Sequence, residues 1–261
     1  MAAATAQPDW GTDALRQRLA PLLPGLQVQC VAEVDSTNTR LVERARLDRS
    51  ACLLVAQAQT AGRGRMQRAW VSAPGASLTF SLALPLAPAS WSGLSLAVGV
   101  ALAEALSPGV GIKWPNDLWF DGRKLGGILI ETVPHGDERI AVVGIGLNVA
   151  PQPVAGSACT QEIDAVALAD PSRVLARVAL PLVRALLDFQ AHGFAAVMPA
   201  YAARDVLQGR PVHTAQAGGS AGEGIADGVE ADGALRLRLA DGSRQRITSG
   251  EVSVRLAPGP A

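Results

Sequence analysis

The sequence predicts an α+β fold: a mixed, mostly antiparallel sheet with helices packed on one side, followed by a small β-barrel. Three observations carry that expectation. Apolar or alternating segments of strand length succeed one another across short turns between residues 52 and 149. Longer helical patterns flank these segments rather than punctuate each of them. After residue 206 the pattern changes to short alternating stretches separated by Asp-Gly pairs, a hairpin signature.

Along the chain, DSTNTRLVERAR (35–46) opens with Asp35, Ser36, Thr37 and Asn38 and continues with Leu41, Val42 and Ala45. That is a capped helix start, whose first turn offers free N–H groups to an anion or carbonyl. CLLVAQAQ (52–59) is a strand running directly into a glycine-arginine loop, and SLTFSLALP (77–85) is another, followed by a helix over 91–106. VGIKW (110–114), KLGGILIET (124–132) and RIAVVGIGLNV (139–149) are further strands, the last three separated by the turns FDGR and PHGDE. Asp170, Pro171 and Ser172 signal a helix start, and apolar residues continue to Phe189 with a kink expected at Pro181. A shorter helix is expected over 194–204. Beyond it, AGGSAGEG and Asp-Gly pairs at Asp227, Asp232 and Asp241 flank a segment in which Leu235, Leu237 and Leu239 alternate with Arg236 and Arg238. The division is therefore a main domain over 1–206 and a small β-barrel domain over 207–261.

Composition narrows the function. A chain of 261 residues, 49% apolar, buries one substantial core and carries a small appended module. With 23 basic and 23 acidic residues and a pI near 6.8, no global field draws in nucleic acid or an anionic membrane. Electrostatic function must be local. Cys30, Cys52 and Cys159 are odd in number and lack metal or CxxC spacing, which suits reduced thiols in the cytoplasm. The first thirteen residues lack the basic start and apolar run of a secretory signal, and the apolar run at 94–106 is too short to span a bilayer.

The local chemistry concentrates in GRGRMQRAW (62–70), which sets three arginines and a tryptophan among glycines. Of the 23 basic residues only Lys113 and Lys124 are lysines, and both adjoin strand-like segments, in KWPNDLW and KLGGILIE. Such sparing use suits sites where a compact ammonium is required and a planar guanidinium is not equivalent. No GxxxxGK[ST], no strand-to-helix GxGxxG and no GxSxG nucleophile elbow between a strand and a helix is present, and His135, His192 and His213 stand alone. What remains is a cationic group of Arg63, Arg65, Arg68, Lys113 and Lys124 with Asp117 beside them. Converged, it would hold phosphate, with Asp117 as a ligand for a shared Mg²⁺. A solvated loop and a polar turn are the plainer readings of the same residues.

DSTN, GRGRMQRAW, KWPNDL, KLGGIL and GIGLN (144–148), in that order, resemble the catalytic domain of biotin protein ligases. The resemblance implies the fold shared by those ligases and class II aminoacyl-tRNA synthetases, with a terminal Src-homology-type barrel. It also implies a two-step reaction. Biotin carboxylate attacks the α-phosphate of ATP to give biotinyl-adenylate and pyrophosphate, and a lysine of a biotin carrier domain then takes the biotinyl group. By that resemblance Ser36, Thr37, Asn38, Gln59, Arg63, Gly64, Arg65, Lys124, Gly126 and Gly127 would bind biotin. Arg65, Arg68, Trp70, Lys113, Asn116 and Asn148 would face the nucleotide, and Lys124, Lys113 and Arg65 would be catalytic. Biotin and MgATP would be substrates, with no tightly bound cofactor.

Met66 and Gln67 stand where the family has arginine and glycine, so a cation and a hinge are missing. About 34 residues precede DSTN, which matches the ligase-only type rather than the ligase-repressors, so no specific DNA binding is expected. The protein would be a monomer or homodimer. A lipoate ligase, a nucleic-acid module using the loop and Trp70, and a non-catalytic binding protein are the alternatives.

Overall fold

The computed structural model describes residues 10–136, 138–216, 221–248 and 252–256. The first nine residues and the Gly-Ser stretch 217–220, both read above, lie outside the described residues.

The main sheet has seven strands: β1 (Gln27–Val34), β2 (Cys52–Gln59), β3 (Ser77–Leu86), β4 (Gly111–Lys113), β5 (Asp117–Phe120), β6 (Arg123–His135) and β7 (Glu138–Asn148). Their order is β1-β2-β3-β7-β6-β5-β4, antiparallel throughout except for the parallel pair β1 and β2. The parallel pair is joined through α2 (Thr37–Ala45), which is what parallel neighbours require. Neither β1 nor α1 (Thr12–Leu19) stands out in the sequence. In β1 only Val34 is buried, because it is the outer strand, so its alternation is weak. β5 is also additional: KWPND turns straight into a strand that pairs with KLGG.

Helices cover both faces of this sheet, where the sequence suggested one. α3 (Leu94–Leu106) and α4 (Pro171–His192) pack with α1 on one face, in a core that includes Leu53, Val55, Leu78, Phe80 and Leu82. α2 closes the other face, where Leu41 and Ala45 meet Cys52, Leu54, Ala83 and Val142. Strand β3 therefore has nine of its ten residues buried, Ser77, Thr79 and Ser81 among them, because neither face meets water. Asp170 caps α4 by accepting from Ser172 N and Arg173 N, and the helix continues through Pro181 to His192. The short second helix is a single 3₁₀ turn, Phe194–Ala196, followed by α5 (Met198–Ala202).

The C-terminal module is a five-stranded antiparallel sheet of β8 (Pro211–Gln216), β9 (Ala221–Val229), β10 (Leu235–Arg238), β11 (Arg244–Ile247) and β12 (Val252–Leu256). Its order is β11-β10-β9-β8-β12. Asp232-Gly233 and Asp241-Gly242 lie in turns as expected. Asp227-Gly228 instead falls inside β9, where the β9–β10 register shifts and Gly228 adopts φ +75°. An irregularity of that kind needs the left-handed backbone as much as a turn does. Trp114 Nε1 donates to Gly233 O at 2.9 Å, which ties the main sheet to a turn of this module, and Ile112 of β4 bonds Arg204 O and Val206 N in the segment that leads into it. Val212, Leu235, Leu237 and Val254 join the principal apolar core.

Candidate functional site

A cavity of about 180 Å³ opens where the start of α2, the end of β2, the loop 62–70 and strands β4 to β7 meet. Antiparallel pairing brings the pieces together. Lys113 faces Asp117 across β4 and β5, and Asp117 faces Gly127 across β5 and β6. Gly127 faces Gly146 across β6 and β7. KWPND, KLGG and GIGLN, distant in sequence, thus become adjacent rungs of one ladder.

One end of the cavity is polar and mostly uncharged. Ser36 caps α2, and Thr37, Asn38 and Ser81 are buried behind it. Gln59 Oε1 accepts from Thr37 N at 2.7 Å and from Thr37 Oγ1 at 3.1 Å. Ser81 Oγ lies 2.7 Å from Thr37 Oγ1 and 2.6 Å from Asn38 Oδ1, sharing its single proton between them. Asn38 Nδ2 donates to Leu129 O at 3.2 Å and to Glu131 Oε2 at 2.9 Å, which fixes the amide's orientation. Gly144 is required here, since a Cβ on it would lie 2.1 Å from Asn38 Oδ1.

The other end is cationic. Lys124 Nζ pairs with Asp117 Oδ1 at 2.7 Å and lies 5.9 Å from the Trp70 ring centre. Lys113 Nζ sits 4.9 Å over the Trp119 ring, a cation–π contact. Burial lowers the Lys113 pKa against the opposing pull of Asp117, and Lys124, Arg68 and Arg255 lower it further. Arg65 is likewise held below its ordinary value by burial, and its Nη1 donates to Asn116 Oδ1 at 3.3 Å. Asn116 Nδ2 donates to Ile128 O at 2.8 Å. Excess positive charge brought partly out of water is a standing cost, and an anion would remove it.

The loop 62–70 is folded rather than extended. Trp70 N donates to Gly62 O at 2.8 Å and Gly64 N to Arg68 O at 2.7 Å, forming a narrow ribbon. A tight turn closed by Arg68 N to Arg65 O forms its tip, with Met66 at φ 54° and Gln67 at φ 56°. Both residues occupy the left-handed region that glycine adopts without cost. Arg63 Nη2 meets Glu131 Oε1 and Oε2 at 3.2 and 2.9 Å, so one of the loop's three arginines is paired at its base. The edge of the Trp70 ring lies where a Cβ of Gly146 would be, 2.4 Å from Cε2.

Of the residues singled out in the sequence, Ser36, Thr37, Asn38, Gln59, Arg63, Gly64, Arg65, Arg68, Trp70, Lys113, Asn116, Asp117, Lys124 and Gly127 line this cavity. Gly126 and Asn148 do not. Gly126 packs against Leu147, and Asn148 Nδ2 donates to the carbonyls of Lys124 and Ala158, bracing the strand that carries Lys124. Among the described residues no group of three or more His, Cys, Asp and Glu could hold a metal, and Asp117 is already engaged by Lys124. The sequence reading passed over Ser81, Glu131, Gly144, Trp119 and Val254. Val254 comes from β12 and places the C-terminal sheet in the cavity wall.

Residues 30–148 match the model of the biotin/lipoate A/B protein ligase family, and residues 208–255 match that of the biotin protein ligase C-terminal domain. The bifunctional ligase/repressor BirA of Escherichia coli is 35% identical over 246 residues, 90% of this chain and 76% of that protein. The chain belongs to the biotin protein ligase family. Within that family, the biotin--[acetyl-CoA-carboxylase] ligase of Paracoccus denitrificans is 34% identical over 85% of this chain and 98% of its own length. The solved biotin protein ligase of Aquifex aeolicus, in complex with biotin and ATP, superposes with a TM-score of 0.74 at 30% identity. That match covers 88% of this chain and 99% of the solved one. Among the described residues, no helix is long and apolar enough to cross a membrane.

Proposed function

We propose that this chain activates biotin as biotinyl-5′-adenylate and transfers the biotinyl group to a lysine of a carboxylase carrier domain. The observation that carries this reading is the division of one cavity into an uncharged polar end and a cationic end containing both lysines of the chain. In the first step a biotin carboxylate oxygen attacks the α-phosphorus of ATP and pyrophosphate leaves. Both partners are anions, so cations must neutralise them before they approach. In the second, the carrier's ε-amine attacks the acyl carbon, loses its proton, and AMP leaves.

The assignments follow the geometry. Thr37, Asn38 and Gln59 border the head-group end, with Ser36 capping the helix beneath them. Lys124 stands at the junction of carboxylate and α-phosphate, held by Asp117 until the anions arrive. Lys113, Arg65 and Arg68 surround the phosphates, and Trp70 and Asn116 border the nucleotide. Gly127 lines the cavity beside Lys124 and Asp117. Mg²⁺ enters as part of the MgATP substrate, bound chiefly by phosphate oxygens.

The division into a catalytic domain over 1–206 and a C-terminal domain over 207–261 is part of the same proposal. So is a cytoplasmic location, supported by three unpaired thiols. Charge balance and the lack of a described DNA-reading helix support the absence of sequence-selective duplex binding. Incubation with MgATP, a carrier domain, and biotin or lipoate tests the whole reading. A mass increase on the carrier with biotin and none with lipoate is expected. An increase with lipoate alone, or with neither, overturns it.

A further inference from the structure

Glu131 lies on β6, seven residues beyond Lys124, and does not itself line the cavity. Its carboxylate sits behind the wall and accepts from two residues that do. Arg63 Nη2 approaches both oxygens, at 2.9 and 3.2 Å, and Asn38 Nδ2 approaches Oε2 at 2.9 Å. One carboxylate therefore joins three elements: the loop 62–70, the first turn of α2 and the strand carrying Lys124. Asn38 passes the connection on to Ser81, Thr37 and Gln59.

The pairing also sorts the cations. Asp117 pairs with Lys124 at the cationic end, and Glu131 pairs with Arg63 at the other. Arg63 then belongs to the uncharged end of the cavity. It serves as an oriented donor, and its Nε is buried with no partner among the described residues. We propose that Glu131 is a positioning residue that locks Arg63 and Asn38 into one wall and so sets how tightly biotin and its adenylate are retained. The inference rests on the biotin-activating reading above, and it assigns that site a determinant which touches no substrate.

The arrangement explains why the loop's two ends behave differently. At its entry Arg63 is anchored, with side chains of the pair only 33% and 29% exposed. At its tip Met66, Gln67 and Arg68 are exposed. The anchor holds the loop in register over the biotin end while the tip remains available to the phosphates. Removing the charge at 131 frees Arg63 and allows the Asn38 amide to turn over, since Gln at 131 can offer either a donor or an acceptor.

Biotin-dependent pyrophosphate exchange and the release of preformed adenylate, measured on Glu131→Gln, Arg63→Met and the double variant, test the idea. Each single variant should raise the biotin concentration for half-saturation about 10-fold and speed adenylate release by a similar factor, consistent with loss of a charge-assisted contact. Half-saturation by ATP should stay within about 2-fold. The double variant should be no worse than the worse single one, because both remove one interaction. Arg63→Met reports on the same pair from the loop side even if Glu131→Gln folds poorly. Unchanged biotin half-saturation in both single variants overturns the proposal, as does an equal rise for biotin and ATP with a lowered Tm, the mark of a purely structural pair. If the unaltered protein shows exchange with no dependence on biotin, the functional reading itself falls and takes this inference with it.

Discussion

Replacing Lys124 by alanine removes the one cation assigned to the junction where carboxylate meets α-phosphate. At about 4 Å an ammonium stabilises a unit anion by roughly 1 kcal/mol in water and roughly 4 kcal/mol at an effective dielectric of 20. The Lys124 side chain is 40% exposed, which places it between those limits. A loss of about 2–3 kcal/mol corresponds to a fall of roughly 30- to 160-fold in the rate of adenylate formation. The substitution has a second effect: Asp117 loses its 2.7 Å partner and keeps only the more distant charges of Lys113 and Arg65, so it repels the incoming phosphates more strongly. Neutralising it as well, in Lys124→Ala/Asp117→Asn, should recover about 3- to 10-fold of the loss, a coupling typical of direct neighbours. Arginine at 124 should restore little, because a planar guanidinium does not reproduce the compact point charge of an ammonium. The assay is biotin-dependent pyrophosphate exchange under single-turnover conditions, with ATP affinity measured separately. Exchange within a factor of 3 of the unaltered protein in Lys124→Ala would refute the assignment, and no recovery in the double variant would refute the role given to Asp117.

The two glycines of β7 should separate the ends of the cavity. In Gly146→Ala the new Cβ meets Trp70 Cε2 at 2.4 Å, so half-saturation by ATP should rise about 10-fold at a stability cost of about 1–3 kcal/mol. In Gly144→Ala it meets Asn38 Oδ1 at 2.1 Å, and half-saturation by biotin should rise instead; steady-state kinetics on both variants decide the matter. Lys113 is held below its ordinary pKa by burial, so the unfolded chain binds its proton more tightly than the folded one, and stability should rise as pH climbs from the lowered value to the ordinary lysine value. Activity should fall over the same interval as the cation is lost. Lys113→Met should abolish the stability trend and cut activity about 100-fold, as denaturant melts and exchange rates across pH would show. Trypsin should cut the free protein after the exposed Arg68 faster than after the anchored Arg63, and biotin with MgATP should protect Arg68; equal cleavage with and without ligands would contradict closure of the loop tip.

The parts of the fold that face the core on both sides were the most legible. β2 announces itself because CLLVA has no polar face to keep, β3 because Leu78, Phe80 and Leu82 alternate with small hydroxyl residues, and the cap at Ser36 shows directly in DSTN. β1 was hidden by the same logic, since an outer strand with one buried residue carries little apolar signal. β5 was hidden by Pro115, which marks a bend but does not show that a strand follows it immediately. The ligand-facing residues were readable as motifs because glycine, arginine and lysine cluster in short runs. Glu131 and Ser81 were not, because each sits in a strand pattern rather than in a motif, and its partners lie 43 to 93 positions away. A charged residue in ILIET was nonetheless a signal. Buried strand positions rarely hold a carboxylate without a cation to meet it.

Loop 62–70 shows how a departure from the family pattern is absorbed. Gln67 occupies the position where glycine is usual, yet the backbone keeps the glycine-like conformation, φ 56°, and Met66 beside it does the same. Each such residue costs on the order of 1 kcal/mol or more. A hinge glycine would let the turn open and close at little cost, whereas this turn is held by its surroundings. Those surroundings are the bonds between Gly62 and Trp70 and between Gly64 and Arg68, and the Arg63–Glu131 pair at the base. Strain concentrated at the tip and anchorage at the base make the tip the segment with most to gain from an anion. Arg65 and Arg68 flank it, and phosphate drawn between them would offset both their partial desolvation and the strained backbone. The missing glycine thus shifts the loop from a freely hinged flap toward a preformed arch, whose last turn, on the proposed function, would be secured by the substrate it covers.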